Sequence, residues 1–336
     1  MNKTILITGV AGLLGTHFSR YLLEKGYTVI GIDDLSGGYK DFLPCESSAP
    51  FCENFTFYER TLGKDSVDDI FEKHCIETVF HFAAYAAEGL SPFIRCFNYQ
   101  NNVIASASIV NACINNNSKL IFTSSMAIYG KNPPPFTEDL NPAPIDPYGI
   151  AKLAVEMDIQ QAAEQFDLKY NIIRPHNVLG KYQNIWDKYR NVIGIFITNV
   201  LKDKPLIIYG DGEQTRAFSD IRYYMEPFAK LINDHHNETF NIGADKHWSI
   251  NEVANLVKNV GAQYGYAAKI SYGEPRHEVK HAYSDHTKAI AHLGFKDNTD
   301  LKSLTKDMFT WAERQPNRDI KRMPYEVEKK IYQYWK

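Results

Sequence analysis

Tyr148 and Lys152 lie four residues apart just after Asp146 and Pro147, a good helix cap and first helical residue, so both side chains share one helical face. An ammonium close to a phenol stabilises the phenolate, which makes Tyr148 a candidate general base and Lys152 its partner. Ser125 follows the β-rich run Lys119 to Thr123, where a strand end can present a hydroxyl to a substrate oxygen. Far upstream, Gly9, Gly12 and Gly15 join a strand-like run to a helical one, and Asp33 closes the next run. A dinucleotide needs glycines in that order: one for the tight turn, one for backbone approach to the pyrophosphate, one for close helix–strand packing. The acid then accepts hydrogen bonds from the adenosine ribose and repels a 2′-phosphate, which favours NAD over NADP. Asp34 either shares that role or is a solvated loop acid. A base, a hydroxyl and a dinucleotide turn together suggest hydride transfer at a carbinol carbon.

These residues need a sheet to position them. Strand-like runs at Thr4 to Thr8, Thr28 to Asp33, Phe55 to Tyr58, Thr78 to Phe82, Lys119 to Thr123 and Tyr170 to Arg174 alternate with helical stretches. The helical stretches include Leu14 to Lys25, stopped by Gly26, and Ser91 to Asn115, stopped by three asparagines. That rhythm predicts an α/β fold with a Rossmann-type, doubly wound parallel sheet. Residues 1–176 read as the NAD-binding domain, with a returning segment near 216–245. Residues 177–336, where the rhythm breaks, read as mainly a smaller C-terminal α/β substrate lobe over the carboxyl ends of the strands. Helices are expected near Ile250 to Val260 and Asp319 to Tyr334. In the latter, Ile320, Met323, Val327, Ile331 and Trp335 fall at loosely helical spacing and are expected to pack on the second lobe.

Composition narrows the function classes. Of 336 residues, 44% are hydrophobic and 23% charged, ordinary for a soluble protein, and a net charge of -3 offers no general attraction for nucleic acid. The first ten residues resemble neither a signal peptide nor a spanning helix, so a cytoplasmic protein with no membrane partner is expected. Cys45, Cys52, Cys75, Cys96 and Cys113 are odd in number and widely spaced, which argues against a disulfide framework or a metal site and reads as five structural thiols.

The segments GVAGLLG (9–15), GIDDLSGG, HFAA (81–84), NNV (101–103), FTSSMAIYG (122–130), YGIAK (148–152) and RPHNVLG, continued by YGDGEQTRAFSDI, FNIG and EPRHEVKHAYSDHTKA, resemble the extended short-chain dehydrogenase/reductases. Within them the chain is most similar to the NAD-dependent nucleotide-sugar epimerase/dehydratase group, of the UDP-glucose 4-epimerase kind, over nearly its whole length. The resemblance implies that Tyr148 is the base, that Lys152 also holds the nicotinamide ribose, and that Ser125 holds the reacting sugar oxygen. It puts Leu13, Leu14, Ala83, Ala84 and Asn102 at the cofactor with the glycines and Asp33. It puts Asn177, Arg216, Arg276 and Glu278 at the nucleotide diphosphate, and Ala282 at the sugar's C2 substituent. It implies a homodimer built on the helices around Ser91 to Asn115 and Tyr148 to Phe166.

Relatives that eliminate water carry an Asp-Glu pair after the active-site hydroxyl; Met126 and Ala127 stand there instead, and the extra acid or cysteine of the decarboxylases and 3,5-epimerases is missing too. The remaining minimal set suits epimerisation at C4 through a 4-keto sugar. The 4,6-dehydratase (lyase) reaction stays as the alternative class. A small Ala282 leaves room for an N-acetyl group, so a UDP-hexose or UDP-N-acetylhexosamine is expected. Lys181, Lys188 or Arg190, around the unusual loop 184–191, are alternatively partners for a uronate carboxylate. Arg60, Thr61 and Leu62 replace the usual acid after the third strand, so the adenine contact is expected to be weakened or remodelled. Glu88, beside Gly89, reads as a surface acid, with contact to substrate as the alternative.

Overall fold

A computed structural model of the chain describes residues 3–44, 52–234, 237–319 and 322–335. Seven parallel strands form the central sheet: Thr4–Thr8, Thr28–Asp33, Phe55–Glu59, Ile76–His81, Lys119–Thr123, Tyr170–Pro175 and Glu238–Ile242. In chain order these lie side by side as seventh, sixth, fifth, fourth, first, second and third. The order reverses between the first and fourth strands, where a Rossmann sheet opens its ligand crevice. Thr8 is level with Ile32 on one neighbour and with His81 on the other, so the glycine turn leaves the sheet at that crevice. The six expected strands appear within two residues of their expected ends, and the seventh, Glu238–Ile242, completes the sheet beside Tyr170–Pro175.

Alternation along each strand covers both faces. Ile5 and Ile7 pack with Phe18, Leu22, Phe228, Leu231 and Leu293 on one side. Leu6 packs with Ile70, Ile109, Val155 and Ile159 on the other. The helix Leu13–Glu24 ends as its glycine predicts: Gly26 has φ +85, and the amides of Gly26 and Tyr27 donate to the carbonyls of Leu23 and Leu22. The expected helix from Ser91 is broken into a 3-10 turn (Ser91–Phe93), a short helix (Arg95–Tyr99), a π-turn (Gln100–Ile104) and the helix Ala105–Asn116. The remaining segments build a smaller layer around Val192–Leu201, Ile250–Gln263 and Leu301–Glu313, with its own core.

Two expectations need correction. The tail is no helix: residues 322–335 run as an extended strap with a single 3-10 turn at Gln333–Trp335, and Ile320 lies outside the described residues. Pro324 interrupts helical bonding, and the strap's side chains find partners in both layers. Ile331 and Trp335 join Leu90, Phe93 and Ile94 of the first layer and Tyr189 of the second, while Val327 stays exposed. Nor are the cysteines uniformly structural. Cys113 is buried and Cys52 half-buried, but Cys75 and Cys96 are exposed free thiols, and Cys45 lies outside the described residues.

Candidate active site

The first turn is built by backbone crowding. Gly9 sits at φ +70 with no room for a side chain, since a Cβ there would lie 2.8 Å from the Ala83 nitrogen. A Cβ on Gly15 would lie 2.2 Å from the Gly9 carbonyl oxygen. Gly12 is the N-cap of Leu13–Glu24 and offers no side-chain cap, which leaves the helix's first amides and its positive end for an anion. Asp33 accepts hydrogen bonds from the amides of Ala11 (3.0 Å) and Leu35 (2.8 Å). Burial outweighs those bonds and pushes its carboxyl up to about 6.

A single cleft runs from this turn to the fifth strand. Gly9, Gly12, Leu13, Leu14, Asp33, Asp34, Ala83 and Ala84 line it at one end, and Ser125, Tyr148, Lys152 and Asn177 at the other. Arg60, Thr61 and Leu62 line it as well, with the Thr61 amide donating to Asp65 (2.7 Å). The cleft fits a dinucleotide: Gly9 and Gly12 put no side chain into it, and the hydroxyls of Thr123 and Ser124 are buried in its wall with no partner among the described residues. Among those residues, no three His, Cys, Asp or Glu side chains gather to hold a metal ion, and no helix is long and apolar enough to cross a membrane.

Tyr148 opens the helix Pro147–Phe166, which Asp146 caps through the Gly149 amide at 2.9 Å. Its hydroxyl is near enough to Ser125 for that hydroxyl to favour the phenolate, and the Ser125 oxygen accepts from the Ala127 amide at 3.1 Å. Lys152 donates to the Thr123 carbonyl at 2.8 Å, and its ammonium lies 5.9 Å from the Tyr148 ring centre. This corrects the expected electrostatics. Burial lowers Lys152 to about 7, against the pull of Glu156, and burial together with the Glu88 charge raises the Tyr148 phenol. Arg190 pulls the phenol the other way, with Ser125.

Several predicted residues sit elsewhere than expected. Asn102 does not reach the cleft: the π-turn buries it, and its amide brackets both backbone groups of Tyr85 (2.9 and 3.2 Å) and meets Asn98 (2.9 Å). Asn101 lines the cleft in its place. Ala282 is 2% exposed, in one buried cluster with Met126, Ile128, Tyr129 and Phe136, and unlike Met126 it does not line the cleft. Asn177 donates to the Ala217 carbonyl at 3.0 Å. Arg216 pairs with Glu278 at 2.9 Å and donates to three carbonyls, while Arg276 lies under the strap. The loop 184–191 covers the cofactor end rather than the sugar end alone: Asn184 donates to the Gly37 carbonyl (2.9 Å), and Arg190 reaches Gly37. Arg190 is paired with buried Asp187 at 3.1 Å and lies over the Tyr85 ring. Lys188 donates to the Trp335 carbonyl, and neither it nor Lys181 lines the cleft.

Two features escaped sequence reasoning, and a third, at Glu88, differs from the surface acid it was read as. Thr8, His81 and Ser106 form a buried hydrogen-bonded chain (2.6 and 2.9 Å) that ends on the Asn102 carbonyl, with His81 held neutral by burial. Arg174 clasps Glu156 with two bonds (3.0 and 2.6 Å) and meets the Tyr129 hydroxyl at 2.8 Å. Glu88 stands on the cleft wall, where desolvation first, and then crowding with the charges of Asp146 and Glu278 against the pull of Arg216, raises it to about 7.

A crowded glycine turn at a Rossmann switch point, an acid on the next strand and a tyrosine–lysine–serine set at the far end of one cleft define a nucleotide-cofactor oxidoreductase-type site. The chain belongs to the NAD dependent epimerase/dehydratase family, whose model matches residues 5–243. It is 32% identical over 316 residues to a putative UDP-glucose 4-epimerase of Methanocaldococcus jannaschii, covering 92% of this chain and 98% of that protein. Among solved structures it is similar to UDP-glucose 4-epimerase of Thermotoga maritima with UDP-glucose (TM-score 0.83, 32% identity, 92% of this chain and 98% of that one). It is also similar to UDP-N-acetylglucosamine 4-epimerase of Methanobrevibacter ruminantium with UDP-N-acetylmuramic acid (TM-score 0.83, 30% identity, 93% and 98%).

Proposed function

We infer that the protein is an isomerase, an NAD-dependent 4-epimerase of nucleotide-diphosphate sugars. The observation that carries this is Tyr148, Ser125 and Lys152 gathered on one cleft wall, with Met126 and Ala127 where an eliminating enzyme needs an acid and a base. When bound, NAD supplies the acceptor, and later the donor, of a hydride at the sugar's C4. The glycine turn and Asp33 hold its phosphates and ribose, and Lys152 adds a donor. Tyr148 takes the proton of the 4-hydroxyl and gives it back, and Ser125 holds that oxygen. Inverting C4 requires the keto sugar to turn over between the two half-reactions. The sugar is therefore held loosely and the nucleotide firmly, a division that assigns Arg216, Arg276, Glu278 and Asn177 to the nucleotide end.

Within this reading the substrate is a UDP-hexose or UDP-N-acetylhexosamine. A uronate is disfavoured because Arg190, already compensated by Asp187, is the one of the three expected cations that lines the cleft, and Glu88 adds negative charge to the same wall. The division into a cofactor domain, 1–176 with a returning 216–245, and a substrate lobe, mainly 177–336, belongs to the proposal. So does a homodimer, supported by exposed Ile104, Ile150, Met157 and Phe166 on the two helical segments expected to pair. A cytoplasmic location fits the exposed free thiols Cys75 and Cys96.

The test is incubation with UDP, GDP, CDP and dTDP sugars without added cofactor, followed by NMR of the products. Interconversion of C4 epimers supports the reading, and a product lighter by one water moves the protein to the lyases.

A further inference from the structure

The strap 322–335 crosses the molecule with more specific bonds than a tail needs for anchorage. Glu326 accepts from the Cys96 and Phe97 amides (2.7 and 2.8 Å) at the start of Arg95–Tyr99. Tyr325 shares a hydrogen bond with Tyr189 of the loop 184–191 (2.9 Å), and Tyr332 accepts from the His277 amide (3.0 Å). At its end, Tyr334 stacks on Tyr209 with ring centres 3.8 Å apart. The Arg276 guanidinium lies 3.8 Å from the Tyr209 ring centre and 5.1 Å from that of Tyr334, and its Nε donates to the Tyr334 hydroxyl at 2.6 Å. Nearby, Lys188 is lowered by partial burial and by Arg322, so cations are gathered there against their mutual repulsion.

We propose that Tyr334 is a positioning residue for nucleotide binding: with Tyr209 it fixes the Arg276 guanidinium in the pose that takes a nucleoside diphosphate. The inference rests on the nucleotide-sugar reading above. A free arginine side chain loses rotamer entropy on clamping a phosphate, and one already held by a hydrogen bond and an aromatic face has lost it beforehand. Epimerisation makes such a clamp useful, because the diphosphate must stay anchored while the sugar turns. Tyr334 touches neither the reacting carbon nor the proton path, so its effect belongs in binding and not in the chemical step.

The test is titration of the full chain, wild type, Tyr334→Phe and Tyr334→Ala, with UDP, alongside KM and kcat for the epimerised UDP-sugar and the content of retained NAD. Losing a hydrogen bond to a charged group corresponds to roughly tenfold or more, so Tyr334→Ala is expected to weaken UDP about tenfold and raise KM similarly, with kcat and NAD content unchanged. Tyr334→Phe keeps the ring and loses only the hydroxyl, and shows a smaller loss in the same direction. Unchanged or tighter UDP binding in Tyr334→Ala overturns the proposal, the tighter case making the ring a plug. A fall in kcat and NAD content without a change in UDP affinity overturns it in favour of a structural role. If Tyr334→Ala does not fold, Tyr334→Phe decides, and UDP affinity equal to wild type overturns the proposal. Failure of the parent reading looks different, because wild type then binds none of UDP, GDP, CDP and dTDP.

Discussion

The two ends of the cleft are built by opposite means. At the cofactor end the contacts are backbone on backbone within the first 34 residues and the Ala83 loop, and the sequence answers by removing atoms: Gly9 and Gly15 have no space for a Cβ. In the segments proposed for the nucleotide the contacts are side chain on side chain across long separations, such as Arg216 with Glu278 and Arg276 with Tyr334, and the chain answers by balancing charges. Geometry of the first kind is rigid before any ligand arrives. Geometry of the second kind depends on which partner each charge holds, and it is where relatives of one fold can differ in substrate.

The contrast predicts unequal responses to substitution. Tyr148→Phe removes the proton acceptor and is expected to lower kcat by at least about 10³-fold, within the range for general acid–base groups, with UDP and NAD binding retained; steady-state rates and titrations check this, and an active variant sinks the mechanism. Next in size, Asp33→Asn costs a charged acceptor for the ribose, about 10- to 100-fold in NAD affinity. It should also narrow the preference for NAD over NADP, measured by titrating both into cofactor-stripped protein. If Asp33→Asn left the preference intact while Arg216→Ala abolished cofactor binding, the assignment of the two ends would be reversed.

The same contrast explains what was legible in the sequence. The six strands, the glycine turn, Asp33 and the Tyr148 helix were readable because each is local: a period of two, a capping pair or a crowded turn leaves its signature within some twenty residues. The π-turn that buries Asn102 and brings Asn101 to the cleft was not, since it shifts helical register by one residue without a sequence marker. Ala282 was placed at the sugar by resemblance alone, which does not reveal that here it is buried in one cluster with Met126, Ile128 and Phe136. The strap looked helical because Ile331 and Trp335 are apolar at nearly helical spacing, yet their partners are Leu90, Phe93 and Tyr189, far away in sequence. Lys152 was expected to lower Tyr148, and long-range terms decided otherwise: burial and Glu88, sixty residues upstream, raise it.

Glu88 offers a smaller test of the substrate end. Its folded value of about 7 stands above the ordinary 4.5, so the folded state binds more protons than the unfolded one between those limits. Stability from this group is therefore gained as pH falls through 7 and lost as pH rises. Glu88→Gln is expected to raise the melting temperature at pH 8 and to leave it nearly unchanged at pH 4. In catalysis, removing the charge relieves the pressure on Tyr148, so the rising limb of kcat/KM moves to lower pH. A limb that stays in place would separate Glu88 from the base.

The smallest effect on chemistry is expected at Ala282. If the residue gated the sugar's C2 substituent, a tyrosine there would exclude N-acetylhexosamines and spare hexoses. The structure puts Ala282 at 2% exposure among Ile128, Tyr129 and Phe136, on a strand paired with Thr215 and Arg216. A ring has no empty volume to enter, and overpacking of a filled site costs about 1–3 kcal/mol. Ala282→Tyr should lower the melting temperature and, by pushing Met126 toward the cleft, slow both sugar classes to a similar degree. Thermal unfolding and the ratio of kcat/KM for UDP-glucose and UDP-N-acetylglucosamine decide it: a stable variant that loses only the N-acetyl substrate would return residue 282 to the pocket wall.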